Sequence, residues 1–190
     1  MIITLYWKGG NSSRFSNIYN KPYIEFTLFY ISKMIITLYM DDLNYDYIDF
    51  LESKENKITN GLFTKIIYSN SIFTMSGLFF YFPINVTNIN NNYNRTFINF
   101  DINEELNIKI IDYLSSIEKN VLSMYNFSKH KELKFLLKDQ LQSGYIKIHS
   151  WNDNNDMDSK YIVKISGIWE NEKNIGITYK IITIKDTIIY

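Results

Sequence analysis

Hydrophobic and polar positions alternate most regularly in residues 160–184, KYIVKISGIWENEKNIGITYKIITI. Two runs rich in β-branched and aromatic residues flank a polar turn at residues 170–174, and period-two alternation of this kind predicts an antiparallel hairpin. Strict alternation places Trp169 on the apolar face with Val163 and Ile165, where core packing is its first interpretation and stacking on a ligand its second. The opposite face then carries a small cationic and hydroxyl set: Lys164, Ser166, Thr178 and Lys180.

The preceding segment predicts three strands, two helices and a further strand. Strands are expected over 62–69, 72–84 and 96–100, with an Asn-rich loop over 85–95. Gly77 inside the second strand predicts a bulge or bend. Apolar residues at helical spacing predict an amphipathic helix over 104–125 and a shorter one over 131–142, followed by a strand over 145–151.

This order of elements predicts a mainly β protein of the α+β class. Three strands, a helical connector and then further strands is the order of the OB-fold, so we expect an OB-like barrel of five to six strands, with the connector between strands three and four. An α+β sheet with its helices on one face is the alternative.

Residues 1–60 differ from the rest and are expected to form an N-terminal arm, with residues 61–190 forming the OB-like domain. The hexapeptide MIITLY occurs at residues 1–6 and again at 34–39. The apolar run 23–40 is interrupted by Glu25 and Lys33, which favours buried strands or a peripheral arm over a membrane span.

Composition argues against an enzyme with a familiar site. The 190 residues contain no cysteine, which excludes thiolate metal sites and a cysteine nucleophile. His130 and His149 have no partner at recognisable spacing, and the acidic loop 153–158 lacks the glycine and glutamate of a calcium-binding loop. We therefore expect no catalytic residue, no metal and no cofactor.

The chain has no net charge, because its 20 Lys and Arg residues equal its 20 Asp and Glu residues. Any anion-binding site must therefore come from a local cluster of positive side chains. Single-stranded nucleic acid is recognised by aromatic faces that stack on bases and by cations that follow the phosphates. In the strand 145–151, the residues alternating with Ile146 and Ile148 should face outward. The candidate binding residues are Lys65, Tyr68, Tyr145, Lys147, Trp151, Lys164, Trp169 and Lys180.

Two segments carry a family resemblance. Residues 63–82, FTKIIYSNSIFTMSGLFFYF, and 161–181, YIVKISGIWENEKNIGITYKI, resemble the strand motifs of OB-fold single-stranded-DNA-binding proteins of large DNA viruses and related linear plasmids. The resemblance covers about 62–184 and implies a non-enzymatic protein that coats replication or repair intermediates. It assigns binding to Lys65, Tyr68, Trp151, Lys164, Trp169 and Lys180, whereas the zero net charge departs from what such a function suggests.

The leading hypothesis is an intracellular single-stranded-DNA-binding protein that uses stacking and lysine–phosphate contacts, needs no membrane, and is free to self-associate. Two other classes stay open. One is a viral structural or protein-interaction module that adds a strand to an exposed sheet edge. The other is a small enzyme with an unrecognised site.

Overall fold

The computed structural model describes residues 37–38, 43–56, 60–92, 95–127, 130–149 and 159–184, all within a compact unit apart from Thr37. The strands are β1 (Ile48–Phe50), β2 (Lys54–Asn56), β3 (Gly61–Ser69), β4 (Thr74–Met75), β5 (Leu78–Phe82), β6 (Val86–Asn92), β7 (Arg95–Phe100), β8 (Glu132–Lys134), β9 (Tyr145–His149), β10 (Lys160–Glu170) and β11 (Asn174–Ile184). The helices are α1 (Glu105–Met124), α2 (Leu136–Gln142) and a short 3-10 helix (Tyr45–Tyr47).

The predicted hairpin is confirmed and lies at the centre of the sheet. β10 and β11 pair antiparallel from Lys160 opposite Ile184 to Glu170 opposite Ile175. The Asn171 side chain closes the turn, because its Oδ1 accepts hydrogen bonds from the backbone N–H groups of Lys173 and Asn174.

The other strands attach to the two edges of this hairpin. β10 pairs antiparallel with β5 along its first half and with β3 along its second half. β11 pairs parallel with β8 and β9, and the sheet follows the order β1-β3-β10-β11-β9-β7-β6. Among the described residues this order does not return to its first strand. The α+β class is confirmed, but the sheet is open, so the closed barrel of five to six strands is not.

Several predicted elements differ from the structure in their limits. The predicted loop 85–95 mostly forms β6, because pairing with β7 overrides the low strand propensity of asparagine. The predicted helix 131–142 divides into β8 and α2. The helix predicted over 104–125 is confirmed as α1. Gly77 adopts φ +106, a value that favours glycine, and the predicted bend there separates β4 from β5.

β1 and β2 come from the segment 43–56, which the sequence analysis had assigned to the N-terminal arm. Both strands pair with β3, so this segment contributes to the sheet. Of the repeated hexapeptide and the apolar run 23–40, the described residues include Thr37 and Leu38, and Leu38 forms an isolated parallel bridge with Phe80 of β5.

Both helices cover the same face of the sheet. Phe80 of β5 meets Tyr113 of α1 edge to face, with ring centroids 6.1 Å apart. Tyr179 of β11 donates a hydrogen bond to the Leu136 carbonyl of α2. Phe80 is paired with Val163 and Tyr179 with Ile165, and these two β10 residues alternate onto one face. The core therefore lies between this face and the helices.

A buried carboxylate joins the two helices. Glu118 of α1 is fully buried, and its two carboxylate oxygens accept hydrogen bonds from the Leu137 and Lys138 N–H groups at the start of α2. The N-cap residue of α2, Phe135, makes no side-chain hydrogen bond to the first turn. The Glu118 carboxylate takes its place and accepts from these N–H groups. Burial raises the pKa of Glu118 above its ordinary value of 4.5, and the two backbone hydrogen bonds oppose that shift.

The raised pKa of Glu118 makes the stability of the fold depend on pH. The folded protein holds this proton more tightly than the unfolded chain, so the contribution to the free energy of unfolding falls as pH rises from 4.5 through the folded pKa. We expect Glu118→Gln to lack this part of the pH dependence. Urea unfolding from pH 4 to pH 7 measures it, with the exposed Glu105→Gln as a matched control. Identical pH profiles for wild type and Glu118→Gln would contradict the expectation.

Candidate functional site

A β-bulge decides which residues of β10 lie on the face opposite the helices. The register shifts between Ile165 and Gly167, while β11 continues without interruption. Lys164 is opposite Lys180, and beyond the bulge Gly167 is opposite Thr178, so these pairs share the face away from the helices. Ser166 is the extra residue, and strict alternation fails at this point.

Trp169 consequently lies on the face opposite the helices, and its predicted placement with Val163 and Ile165 is wrong. It is paired with Gly176, and its indole Nε1 donates a hydrogen bond of 3.1 Å to the Ile177 carbonyl. The ring covers Gly176, where a Cβ would lie 2.9 Å from the Trp169 Cζ2. A glycine is required opposite this tryptophan because the ring occupies the side-chain space.

Lysines from four strands gather on this face, which we term the cationic face. Lys164 and Lys180 are cross-strand partners, and Lys65 of β3 is opposite Gly167. β9 and β11 are parallel, and Ile148 is opposite Ile181. Lys147 and Lys180, one residue earlier on each strand, are therefore neighbours. These residues form a short cationic row across neighbouring strands, with Lys65 one step along.

Aromatic rings lie among these lysines. The Lys164 ammonium is 4.7 Å from the ring centroid of Phe79, its partner on β5, a cation–π contact. Phe97 of β7 is opposite Lys147 and stacks on Tyr145, with centroids 4.7 Å apart and planes 7° apart. Tyr145 is 39% exposed, so an aromatic surface is accessible beside a lysine.

The cations are close enough to influence one another. Burial lowers the pKa of Lys164, and the charges of Lys180 and Lys65 lower it further. Burial likewise lowers the pKa of His149, followed by the charges of Lys147 and Lys180, whereas a hydrogen bond with the Ile181 backbone opposes the shift. Lysines this close together repel one another, so an anion bound among them would be stabilised.

Acidic residues are nearly absent from the strands that build this face. β3, β5, β6, β7, β9, β10 and β11 together contain one, Glu170, and β1 adds the exposed Asp49 opposite Ile67, on the side of Lys65. Glu170 is paired with Ile175 on the helix side, where it accepts a hydrogen bond from Tyr125 and forms an ion pair of 2.5 Å with Lys131. A protein of zero net charge therefore has a locally positive sheet face.

Exposure is uneven along the cationic face. Ile162 and Ile182, which pair with each other next to the Lys164–Lys180 pair, are 1% and 2% exposed. Lys65, Lys147 and His149 are exposed, and Lys164, Lys180 and Trp169 are half-buried. The accessible surface therefore runs from the lysine row toward Trp169 and across to Tyr145.

The structure brings together six of the eight predicted binding residues: Lys65, Tyr145, Lys147, Lys164, Trp169 and Lys180. Tyr68 does not join them, because it is 2% exposed and packs in the core between Tyr47 and Phe73. Trp151 lies outside the described residues.

Sequence reasoning did not include several further residues of this face among its candidates: Phe63, Phe79, Arg95, Phe97 and His149. The sequence could have indicated Phe97, because it alternates with the buried Ile98 in the short run TFINF. It could not indicate the outward position of Phe79, because both faces of that strand are aromatic.

No family model, curated protein or solved structure matches the chain. Within the described ranges, His, Asp and Glu side chains form no group of three or more that could hold a metal ion. The same part of the chain has no helix with the length and apolar character needed to cross a bilayer. Function is therefore inferred from the geometry of the cationic face.

The burial of Lys164, together with the charges of Lys180 and Lys65, is expected to cost stability. Because the pKa of Lys164 is lowered on folding, its charge opposes folding at neutral pH, and this penalty disappears only as pH rises toward 10.5. Lys164→Met keeps the aliphatic stem and a contact with Phe79. We expect it to raise the free energy of unfolding by up to about 1 kcal/mol after solvent screening.

Urea unfolding at pH 7 provides the measurement, and the exposed Lys119→Met on α1 serves as the control. Added phosphate should stabilise the wild type more than Lys164→Met. A Lys164→Met variant that is no more stable than the wild type would contradict the expected net gain.

Proposed function

We propose that this protein binds single-stranded DNA on the cationic face, without catalysis, by stacking on bases and contacting phosphates. The observation that carries the proposal is the register of the sheet. It gathers Lys65, Lys147, Lys164 and Lys180 beside aromatic rings on one face, whereas the single acid of the same strands lies on the other.

The chemistry of the face suits a single strand. Stacking on an aromatic side chain contributes about 1–3 kcal/mol per base and tolerates any sequence. Sheet surfaces that present aromatic side chains are a recurrent platform for unpaired bases. Tyr145 lies on the strand of Lys147 and Trp169 on the strand of Lys164, so each ring shares a strand with a lysine and can contact a base while that lysine contacts a phosphate.

Zero net charge is compatible with this ligand. The potential that attracts a phosphate chain is set by the charges nearest the site, and salt screens charges beyond about 10 Å at 0.1 M ionic strength. Burial lowers the pKa of Lys164 and His149, and the charges of neighbouring lysines lower both further, which is consistent with a local positive field.

The resemblance to OB-fold single-stranded-DNA-binding proteins supports the same ligand class. We propose an intracellular role on replication or repair intermediates, as that resemblance implies. An OB-like closure of the sheet is not required, because the lysines and aromatic rings lie on one side of neighbouring strands.

Binding should depend steeply on salt. Each neutralised phosphate of a single strand contributes about −0.7 to the slope of log K against log salt, so four lysines predict about −2.8 and a loss of about 50-fold between 50 and 200 mM. Lys164→Ala should reduce this slope by about 0.7. It should weaken binding about fivefold at low salt, the effect of one exposed ion pair.

Fluorescence anisotropy with a labelled octathymidylate measures both quantities, and Lys119→Ala is the matched control. Absence of binding at 50 mM salt by the folded wild type would refute the proposed function. Equal effects of Lys164→Ala and Lys119→Ala would place the binding elsewhere.

Trp169 should report on the same complex. Stacking of a base on or beside its indole is expected to quench part of the tryptophan emission. Trp169→Phe keeps an aromatic surface, so we expect it to bind octathymidylate within about threefold of the wild type but to lose this quenching. Full quenching in Trp169→Phe would exclude the indole from the site.

A further inference from the structure

A polar patch continues the cationic face onto β7 and β6, the last two strands in the order of the described sheet. On β6 and β7, Asn90 is opposite Phe97, and Asn88 is opposite Asn99. On β7 and β9, Phe97 is opposite Lys147, and Asn99 is opposite Tyr145. These six side chains therefore form two adjacent cross-strand rows on one face, with neighbouring Cβ atoms about 4.5–5.5 Å apart.

The amides of this patch are held in order yet retain unused hydrogen-bonding groups. Asn88 donates to Asn90 over 3.2 Å, and Asn90 donates to Asn99 over 3.3 Å. Each primary amide has two N–H donors and an oxygen with two lone pairs, so this chain leaves donors and acceptors for a ligand. Asn88 and Asn90 are exposed, and Asn99 is half-buried.

Three kinds of group thus meet at one place. The stacked Phe97–Tyr145 pair supplies an aromatic surface for a base, Lys147 supplies a cation for its phosphate, and the asparagines supply hydrogen bonds for its polar edge. The lysine row toward Phe79 lacks amide groups of this kind, because the same-face pairs beside Lys164 and Lys180 are Ile162–Ile182 and Gly167–Thr178, in which Thr178 has the single polar side chain.

We infer that Asn88, Asn90, Asn99, Phe97, Tyr145 and Lys147 form a subsite that holds one nucleotide and reads its base, with adenine preferred. The inference rests on the proposed function and adds base selectivity to it. An asparagine amide pairs a donor and an acceptor with N7 and the N6 amino group of adenine, whereas thymine offers no amino group. The larger purine ring also covers more of the aromatic pair.

The test compares octathymidylate with the same octamer carrying one interior dA. Anisotropy at 50 mM salt should show that the wild type binds the dA octamer about five- to tenfold more tightly, the discrimination of one good bidentate contact. The double variant Asn90→Ala/Asn99→Ala should bind both octamers equally. Its affinity for octathymidylate should stay within about twofold of the wild type, because phosphate contacts carry no base information.

Two matched variants separate base reading from general binding. Asn91→Ala alters the neighbouring asparagine on the other face, where Asn91 is opposite Thr96, and should keep the dA preference. Lys147→Ala should weaken both octamers equally and keep the preference. Circular dichroism of each variant checks that it is folded.

Equal affinities of the wild type for the two octamers would overturn the inference and leave the proposed function standing. A dA preference that persists in the double variant would overturn it as well. A folded double variant whose affinity for both octamers falls by the same large factor would also overturn it. Failure of the wild type to bind either octamer would refute the proposed function and this inference together.

Discussion

The register of the β10–β11 hairpin is the constraint on which the rest of the structure depends. β5 and β3 pair with one edge of this hairpin, and β9 and β8 pair with the other. The bulge at Ser166 exchanges the two faces of β10 half-way along the strand. Val163 and Ile168, although five residues apart, both become core residues, and both are 0% exposed.

The helix side of the sheet shows how the fold accommodates polar groups that it must bury. Thr64 is 1% exposed, and its hydroxyl is within hydrogen-bonding distance of Ser53 and Tyr125. Tyr125 in turn donates to Glu170. Because buried polar groups are costly only when unpaired, this network stabilises the burial of Thr64 and Glu170 on the helix side.

Local pattern predicted much of this arrangement, and its failures have physical causes. Lys164, Lys180, Lys147 and Tyr145 were correctly expected to face away from the apolar set, because alternation holds in β9, in β11 and in β10 before its bulge. Trp169 was misplaced because a bulge is a property of two paired strands. The contribution of β6 was missed for a similar reason, since its stability comes from pairing with β7.

Gly176 beneath Trp169 has a consequence for the energetics of binding. The indole is held against the sheet by the absence of a side chain at Gly176 and by its hydrogen bond to the Ile177 carbonyl. Ordering a free aromatic side chain on association costs about 0.5–1.5 kcal/mol, and here folding has already met that cost. The ring is preorganised, so a base that reaches it meets a surface that need not rearrange.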